Sequence, residues 1–252
     1  MHAVTPPAVA PVGTRIRAYL GTELVADSRA VMLLRESPLK LFYCFPRMDV
    51  RDGVLDPASE RSDTTSLGAR ATYAVQAGAT RANEAAFVYT EPDGAAKELG
   101  SYVGFAFDKL DRWLEEEDEL IGHPRDPWTR IDVRRSARHV VVRSGSAVVI
   151  DTRKPRLLLE TGLRLRYYVP HDDVDWRYFT PSARTSVCPY KGRARYWSIT
   201  MDGGERQDVV WSYPDPLQDG EPIRDHVGVY HEKLDVEVDG TRLEEEAFYF
   251  TK

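Results

Sequence analysis

At 252 residues the chain has the length of one large domain or two of ordinary size, and 34 Lys and Arg against 40 Asp and Glu leave it mildly acidic. Both signs are scattered, so no basic stripe exists to follow a phosphate backbone, and nucleic acid is set aside as the main partner. No apolar run approaches a membrane span, and residues 1–12, rich in Pro, Ala and Val, lack the basic start and apolar core of an export signal. They read as a flexible tail on a cytoplasmic protein whose two cysteines, Cys44 and Cys188, stay reduced.

Taken in order, residues 15–20 and 23–26 around Gly21-Thr22 form a hairpin pattern, and residues 140–142 and 147–150 around Ser144-Gly145-Ser146 repeat it. Further β-branched or aromatic runs lie at 166–170, 194–200, 209–211, 226–231, 234–238 and 247–250, each ended by turn residues or charges. The acidic segment 113–120 has weak helical periodicity, and it aligns with a hairpin pattern at 237–241, so strand or mixed structure is expected there.

That alignment comes from an internal repeat. Asp27-Ser28-Arg29 recurs as Asp151-Thr152-Arg153, an offset of 151 − 27 = 124 residues. Without a gap, the same offset carries Glu36 onto Glu160, Tyr43 onto Tyr167, Asp49-Val50 onto Asp173-Val174, Gly68 onto Gly192, Tyr89 onto Tyr213 and Lys109-Leu110-Asp111 onto Lys233-Leu234-Asp235. Roughly a quarter of positions match, against a chance level of about one in sixteen. The expected organisation is a first domain over 13–120, a turn-rich linker over 121–131 and a second domain over 132–252. Two all-β copies of one domain would pack as an intrachain pseudo-dimer.

The second copy carries Cys188-Pro189-Tyr190-Lys191-Gly192, then Tyr196-Trp197, then Trp211-Ser212-Tyr213-Pro214-Asp215-Pro216 and a closing Gly228-Val229-Tyr230. With Asp-Ser/Thr-Arg, Leu-Leu-x-Glu and Tyr-Tyr-x-Pro-x-x-Asp-Val before them, these blocks resemble the bacterial domain-of-unknown-function family DUF427, over nearly all of copy two and more faintly over copy one. The resemblance implies two tandem β-tent domains of the Mss4/cereblon-like kind, two sheets leaning together, and in cereblon a cage of tryptophans holds a small cyclic ligand. It implies no settled activity. Copy one departs from the pattern, with Thr64, Thr65, Ser66 and Leu67 where copy two has Cys188 to Lys191, Tyr73 for Trp197 and Phe87 for Trp211. The site is therefore expected once per chain, in copy two.

Three readings of that site stay open. As a binder of a small cyclic or amide-bearing molecule, it would use Tyr190, Trp197, Trp211, Tyr213, Tyr168 and Arg153, since flat rings offer large contact at small entropic cost. Tyr196 and Trp197 are neighbours in a strand, so only one of them can face a given pocket. As an enzyme it would use Cys188 as nucleophile or acid, tuned by Lys191, with Glu160 or Asp173 as base or orienting group; a free thiol is only about three per cent thiolate at neutral pH, so tuning matters. As a scaffold the rings are core, and Glu160, Asp173 and Arg153, which recur as Glu36, Asp49 and Arg29, form a structural polar network in both copies. No cofactor or metal is expected, because neither a CxxC nor an HxxxH-type pair occurs and His171, His226 and His231 stand singly.

Overall fold

The computed structural model of the chain describes residues 6–37, 40–201 and 204–244. It divides between Pro127 and Trp128 into two compact units. In the first, the strands in chain order are β1 (Ala8–Pro11), β2 (Ile16–Leu20), β3 (Glu23–Ser28), β4 (Met32–Ser37), β5 (Lys40–Pro46), β6 (Leu55–Thr65), β7 (Gly68–Ala77), β8 (Thr80–Pro92), β9 (Tyr102–Phe105), β10 (Arg112–Glu115) and β11 (Asp118–Leu120). In the second they are β12 (Ile131–Arg135), β13 (Val140–Ser144), β14 (Ala147–Thr152), β15 (Arg156–Glu160), β16 (Arg166–Pro170), β17 (Phe179–Cys188), β18 (Gly192–Met201), β19 (Gly204–Ser212), β20 (His226–Val229), β21 (Asp235–Val238) and β22 (Thr241–Arg242).

Each unit holds one seven-stranded and one four-stranded antiparallel sheet, in the same order. The large sheets run β1-β4-β5-β9-β8-β7-β6 and β12-β15-β16-β20-β19-β18-β17; the small ones run β3-β2-β10-β11 and β14-β13-β21-β22. The 124-residue offset superimposes β2 on β13, β7 on β18 and β9 on β20 residue for residue. The protein is thus all-β and duplicated, as its repeat predicts. Among the described residues no helix is long and apolar enough to cross a membrane.

Local sequence explains the hairpins. β2 and β3 close between Leu20 and Glu23, and β13 and β14 between Ser144 and Ala147. The turns contain Gly21 at φ 59° and Gly145 at φ 61°, a left-handed backbone that glycine adopts without cost. The acidic 113–120 segment folds as the hairpin β10–β11, with Glu115 opposite Asp118. Strand alternation then sorts the second unit's large sheet. Tyr167, Val169, Ile199, Val210, Val227 and Val229 pack with Val140, Val142, Val149 and Val236 of the small sheet into the main core. Residues of opposite parity face the other way.

Two expectations are corrected here. The stretch read as a tail supplies β1, the edge strand of the first large sheet, paired from Ala8↔Arg35 to Pro11↔Met32; an edge position tolerates Pro11, which cannot donate to a ladder. The stretch read as a linker is not all linker: Ile131 opens β12, and Asp126 is buried and ion-paired to Arg35. The predicted strand at 247–250 lies outside the described residues.

Candidate functional site

The outer face of the second large sheet, away from the main core, carries a second cluster: Leu158, Tyr168, Ala194, Tyr196, Trp211, Tyr213 and Ile223, with Cys188 and Tyr230 packed at its margin. An antiparallel sheet commonly leaves such a face to water. This face is instead covered by the segment that follows β19. Leu217 N–H donates to the Lys191 carbonyl at 3.1 Å, Gly192 bridges to Pro216, and a Cβ on Gly220 would come within 2.9 Å of the Lys191 carbonyl oxygen. The Cys-Pro-Tyr-Lys turn, which joins β17 to β18 with Cys188 opposite Gly192, is clamped by that segment.

Lys191 and Glu160 are the charged pair beneath the cluster. The Lys191 ammonium donates to Glu160 Oε2, and the two residues are only 5 % and 6 % exposed. Such a pair sits where desolvation of each charge is large, so each is held in place by the other. Lys191 is therefore engaged by Glu160 rather than standing as a free neighbour for the Cys188 thiol, which is half-buried.

The aromatic rings interlock. Trp211 meets Tyr168 edge-on at 5.6 Å between centroids and donates its indole N–H to the Tyr168 hydroxyl at 2.9 Å, while Tyr230 lies 4.3 Å from Trp211. Trp211 lies across Gly228, where a Cβ would come within 2.6 Å of the indole. Burial pushes the Tyr168 phenol well up, with Tyr213 adding to it. Burial also pushes the Tyr213 phenol far up, with Cys188, Tyr196 and Glu160 contributing. Burial, then Tyr196, raises Tyr230 to about 12. All three are neutral donors at physiological pH. Among the described residues the Tyr213 hydroxyl has no hydrogen-bond partner, and the Tyr168 hydroxyl accepts from Trp211 without an acceptor for its own proton.

Cations already cover several ring faces. Arg166 stands 5.9 Å from the Trp211 centroid and 5.1 Å from that of Tyr230, Lys233 is 5.1 Å from Tyr230, and Arg184 is 4.7 Å from Tyr196. Arg166 also grips Glu232 with both terminal nitrogens, at 2.7 and 2.8 Å. Burial opposes ionisation of Glu232, but the Arg166 hydrogen bonds and charge outweigh it and hold the carboxyl down, from its ordinary 4.5 to about 2. A depressed folded value adds stability above the unfolded value that is lost as pH falls. Unfolding free energy measured from pH 5 to 2 should therefore fall less steeply in Arg166→Gln than in wild type, and an unchanged slope would remove this pair from the account.

Of the residues singled out in the sequence, Cys188, Tyr190, Lys191, Glu160, Tyr168, Trp211 and Tyr213 come together on this face or its turn. Three do not. Trp197 points into the main core, 5.1 Å from Trp176, and Tyr196 takes the outer side. Asp173 accepts from Thr152 Oγ1 at 2.5 Å, as Asp49 accepts from Ser28 at 2.6 Å, and so belongs to a turn shared by both units. Arg153 is exposed on the same turn. Arg166 and Tyr230 join the site from outside the candidate residues, and His231, a lone histidine in the sequence that could have approached Cys188, instead faces Arg166 at 3.2 Å. A signal for the first two lay in the repeat, where the offset sets Arg166 against Phe42 and Tyr230 against Ala106. Among the described residues no group of His, Cys, Asp and Glu is arranged to hold a metal.

The profile of the domain of unknown function (DUF427) matches the chain twice, over residues 8–116 and 132–240. The chain belongs to the DUF427 family. A search of curated proteins finds no match. Its two DUF427 domains present the same outer face with different chemistry. In the first, Leu34, Cys44, Leu67, Phe87 and Tyr89 form the cluster, placing Cys44 where the second has Tyr168 and Leu67 where it has Lys191. Glu36, the counterpart of Glu160, pairs with Lys40 and with Arg70, which stands at the Ala194 position. Burial raises the Cys44 thiol strongly, so it is a packing group. Tyr89 keeps the phenol of Tyr213, and its hydroxyl is buried without a partner, so it is the Tyr168 phenol and the Lys191 ammonium that distinguish the second DUF427 domain.

Proposed function

We propose that the second DUF427 domain binds a small neutral molecule with a ring and an amide-type carbonyl on the outer aromatic face. The observation that carries this reading is the pair of phenol protons on Tyr168 and Tyr213: Tyr168 is fully buried and its proton meets no acceptor among the described residues, while the Tyr213 hydroxyl has no partner among them and is not sealed from solvent. A buried donor left unmade costs about 1–3 kcal/mol, so the Tyr168 proton, with the Tyr213 phenol as its neighbour, suits a carbonyl oxygen that accepts from both. The ring of such a ligand would lie against the aromatic cluster with Cys188 at its margin. Arg166, Lys233 and Arg184 already occupy ring faces, which argues against a cationic ligand. The β-tent fold that the family resemblance implies, with cereblon as its ligand-binding example, favours the same ligand class. The closed packing of Trp211 and Tyr213, 6 % and 7 % exposed, requires the segment after β19 to shift on entry.

The test is a screen of lactams, cyclic imides and cyclic ureas, read by tryptophan fluorescence and confirmed by calorimetry. A hit should weaken about three- to tenfold in Tyr213→Phe and again in Tyr168→Phe, the value of one hydrogen bond each. It should hold within about threefold in Cys188→Ser. A panel without a saturating ligand, or a hit indifferent to both tyrosines, overturns the reading; turnover that disappears in Cys188→Ser replaces it with the enzyme.

A further inference from the structure

A second feature of the same sheet face has no place in the ring site. A cleft of about 410 Å³ opens where β12 ends and β15 and β20 begin. Its apolar walls are Pro155 and Pro170; around them stand Arg135, Lys154, Arg156, Ser136 and His226, and no carboxylate among the described residues lines it. Among the described residues the side chains of Arg135, Lys154 and Arg156 make no ion pair or hydrogen bond, although most arginines of this chain are paired.

Register sharpens the point. Arg135 and Arg156 are direct partners across the β12–β15 ladder, so two unpaired guanidinium groups face each other on one side of the sheet. Like charges directly opposite destabilise a sheet. The first domain avoids the arrangement: the offset places Pro11 opposite Met32 at the same rungs, with Ala30 for Lys154 and Tyr102 for His226. The three cations were thus introduced, or retained, in the second domain alone. Ser136 Oγ accepts from Arg138 N–H at 3.2 Å, which leaves its proton to donate into the cleft.

We infer that this cleft binds a phosphate group, that of a small phosphate ester. A doubly charged anion between Arg135 and Arg156, with Lys154 beside it and Ser136 donating, turns the cross-strand repulsion into two charge-assisted contacts. The walls admit the apolar part of an ester. The site borders the aromatic face, since Arg156 pairs across the ladder with Tyr168, but it does not depend on a ligand being bound there.

Inorganic phosphate is the probe, titrated by calorimetry into the full chain in a buffer without other oxyanions. One saturable site is expected, weakened about tenfold or more in Arg135→Gln and in Arg156→Gln, and unchanged in Arg195→Gln, an exposed arginine elsewhere on the sheet. Without phosphate, Arg156→Gln should melt at the same temperature as wild type or higher, because a repulsion is relieved; a merely structural arginine would lower it. Absence of saturation by about 20 mM, or equal weakening in Arg195→Gln, overturns the inference. Phosphate binding without any response to lactams or imides would leave this site standing and remove the ring-binding proposal, so the two fail separately.

Discussion

Lys191→Met is expected to destabilise the second domain by about 3–5 kcal/mol, the cost of leaving one partner of a buried ion pair alone. Glu160 and Lys191 are almost fully enclosed, and the carboxylate stripped of its ammonium would have no other cation in contact among the described residues. Replacing both, Glu160→Gln with Lys191→Met, should recover most of the loss, because neither charge then remains to be desolvated. Tryptophan fluorescence follows the second domain selectively: Trp128, Trp176, Trp197 and Trp211 belong to it, and only Trp113 to the first. Two units need not unfold as one, so the quantity to compare is the midpoint of the transition those four report. A single variant within about 1 kcal/mol of wild type would show the pair to be solvated and would remove the ion pair from the site.

The pair also shows what was legible beforehand. Lys191 stood out through the Cys-Pro-Tyr-Lys-Gly turn, and Glu160 through its recurrence at Glu36, but their pairing spans 31 residues and three strands, which spacing cannot supply. The fold was more accessible. An ungapped offset preserves strand parity along the whole repeat, so the hairpins at Gly21 and Gly145 and the common strand order followed from it. β1 was hidden because Ala-Val-Ala-Pro has neither turn signals nor a bulky alternating face, and only its partner β4 makes it a strand. Tyr196 and Trp197 presented a parity choice that the sequence left open; packing settles it by burying Trp197 with Trp176 and turning Tyr196 outward.

The matches across the 124-residue offset carry the fold, and the mismatches carry the chemistry. Tyr168 for Cys44, Lys191 for Leu67, Tyr230 for Ala106 and Arg156 for Met32 all fall on one face of one sheet. The first domain's face carries a different polar set, Glu36 with Lys40 and Arg70, so a scaffold required equally by both copies does not account for these four groups. The conserved matches, such as Asp49 and Asp173 at their Ser and Thr partners, are instead turn chemistry that both copies need.

Gly192→Ala is the second large effect expected. Gly192 sits at φ 106°, a conformation side-chain-bearing residues rarely adopt, and its Cβ would lie 3.0 Å from the Asp215 carbonyl oxygen and 3.3 Å from the Leu217 nitrogen. Both are backbone atoms of the covering segment, so no side chain can rotate away. Strain and overlap together should cost about 3 kcal/mol. Relief would come by opening the Gly192–Pro216 bridge and the Leu217-to-Lys191 hydrogen bond, which frees the segment that carries Tyr213. The variant should therefore unfold earlier and also show a red-shifted Trp211 emission before unfolding, as the ring meets water. Gly68→Ala, at φ 107° and 2.0 Å from the Glu91 carbonyl oxygen, imposes a larger strain on the first domain and should still leave that emission unchanged. If Gly192→Ala cost less than about 1 kcal/mol and left the emission where it was, the segment would already be loose, and the closed aromatic face would not be its resting state.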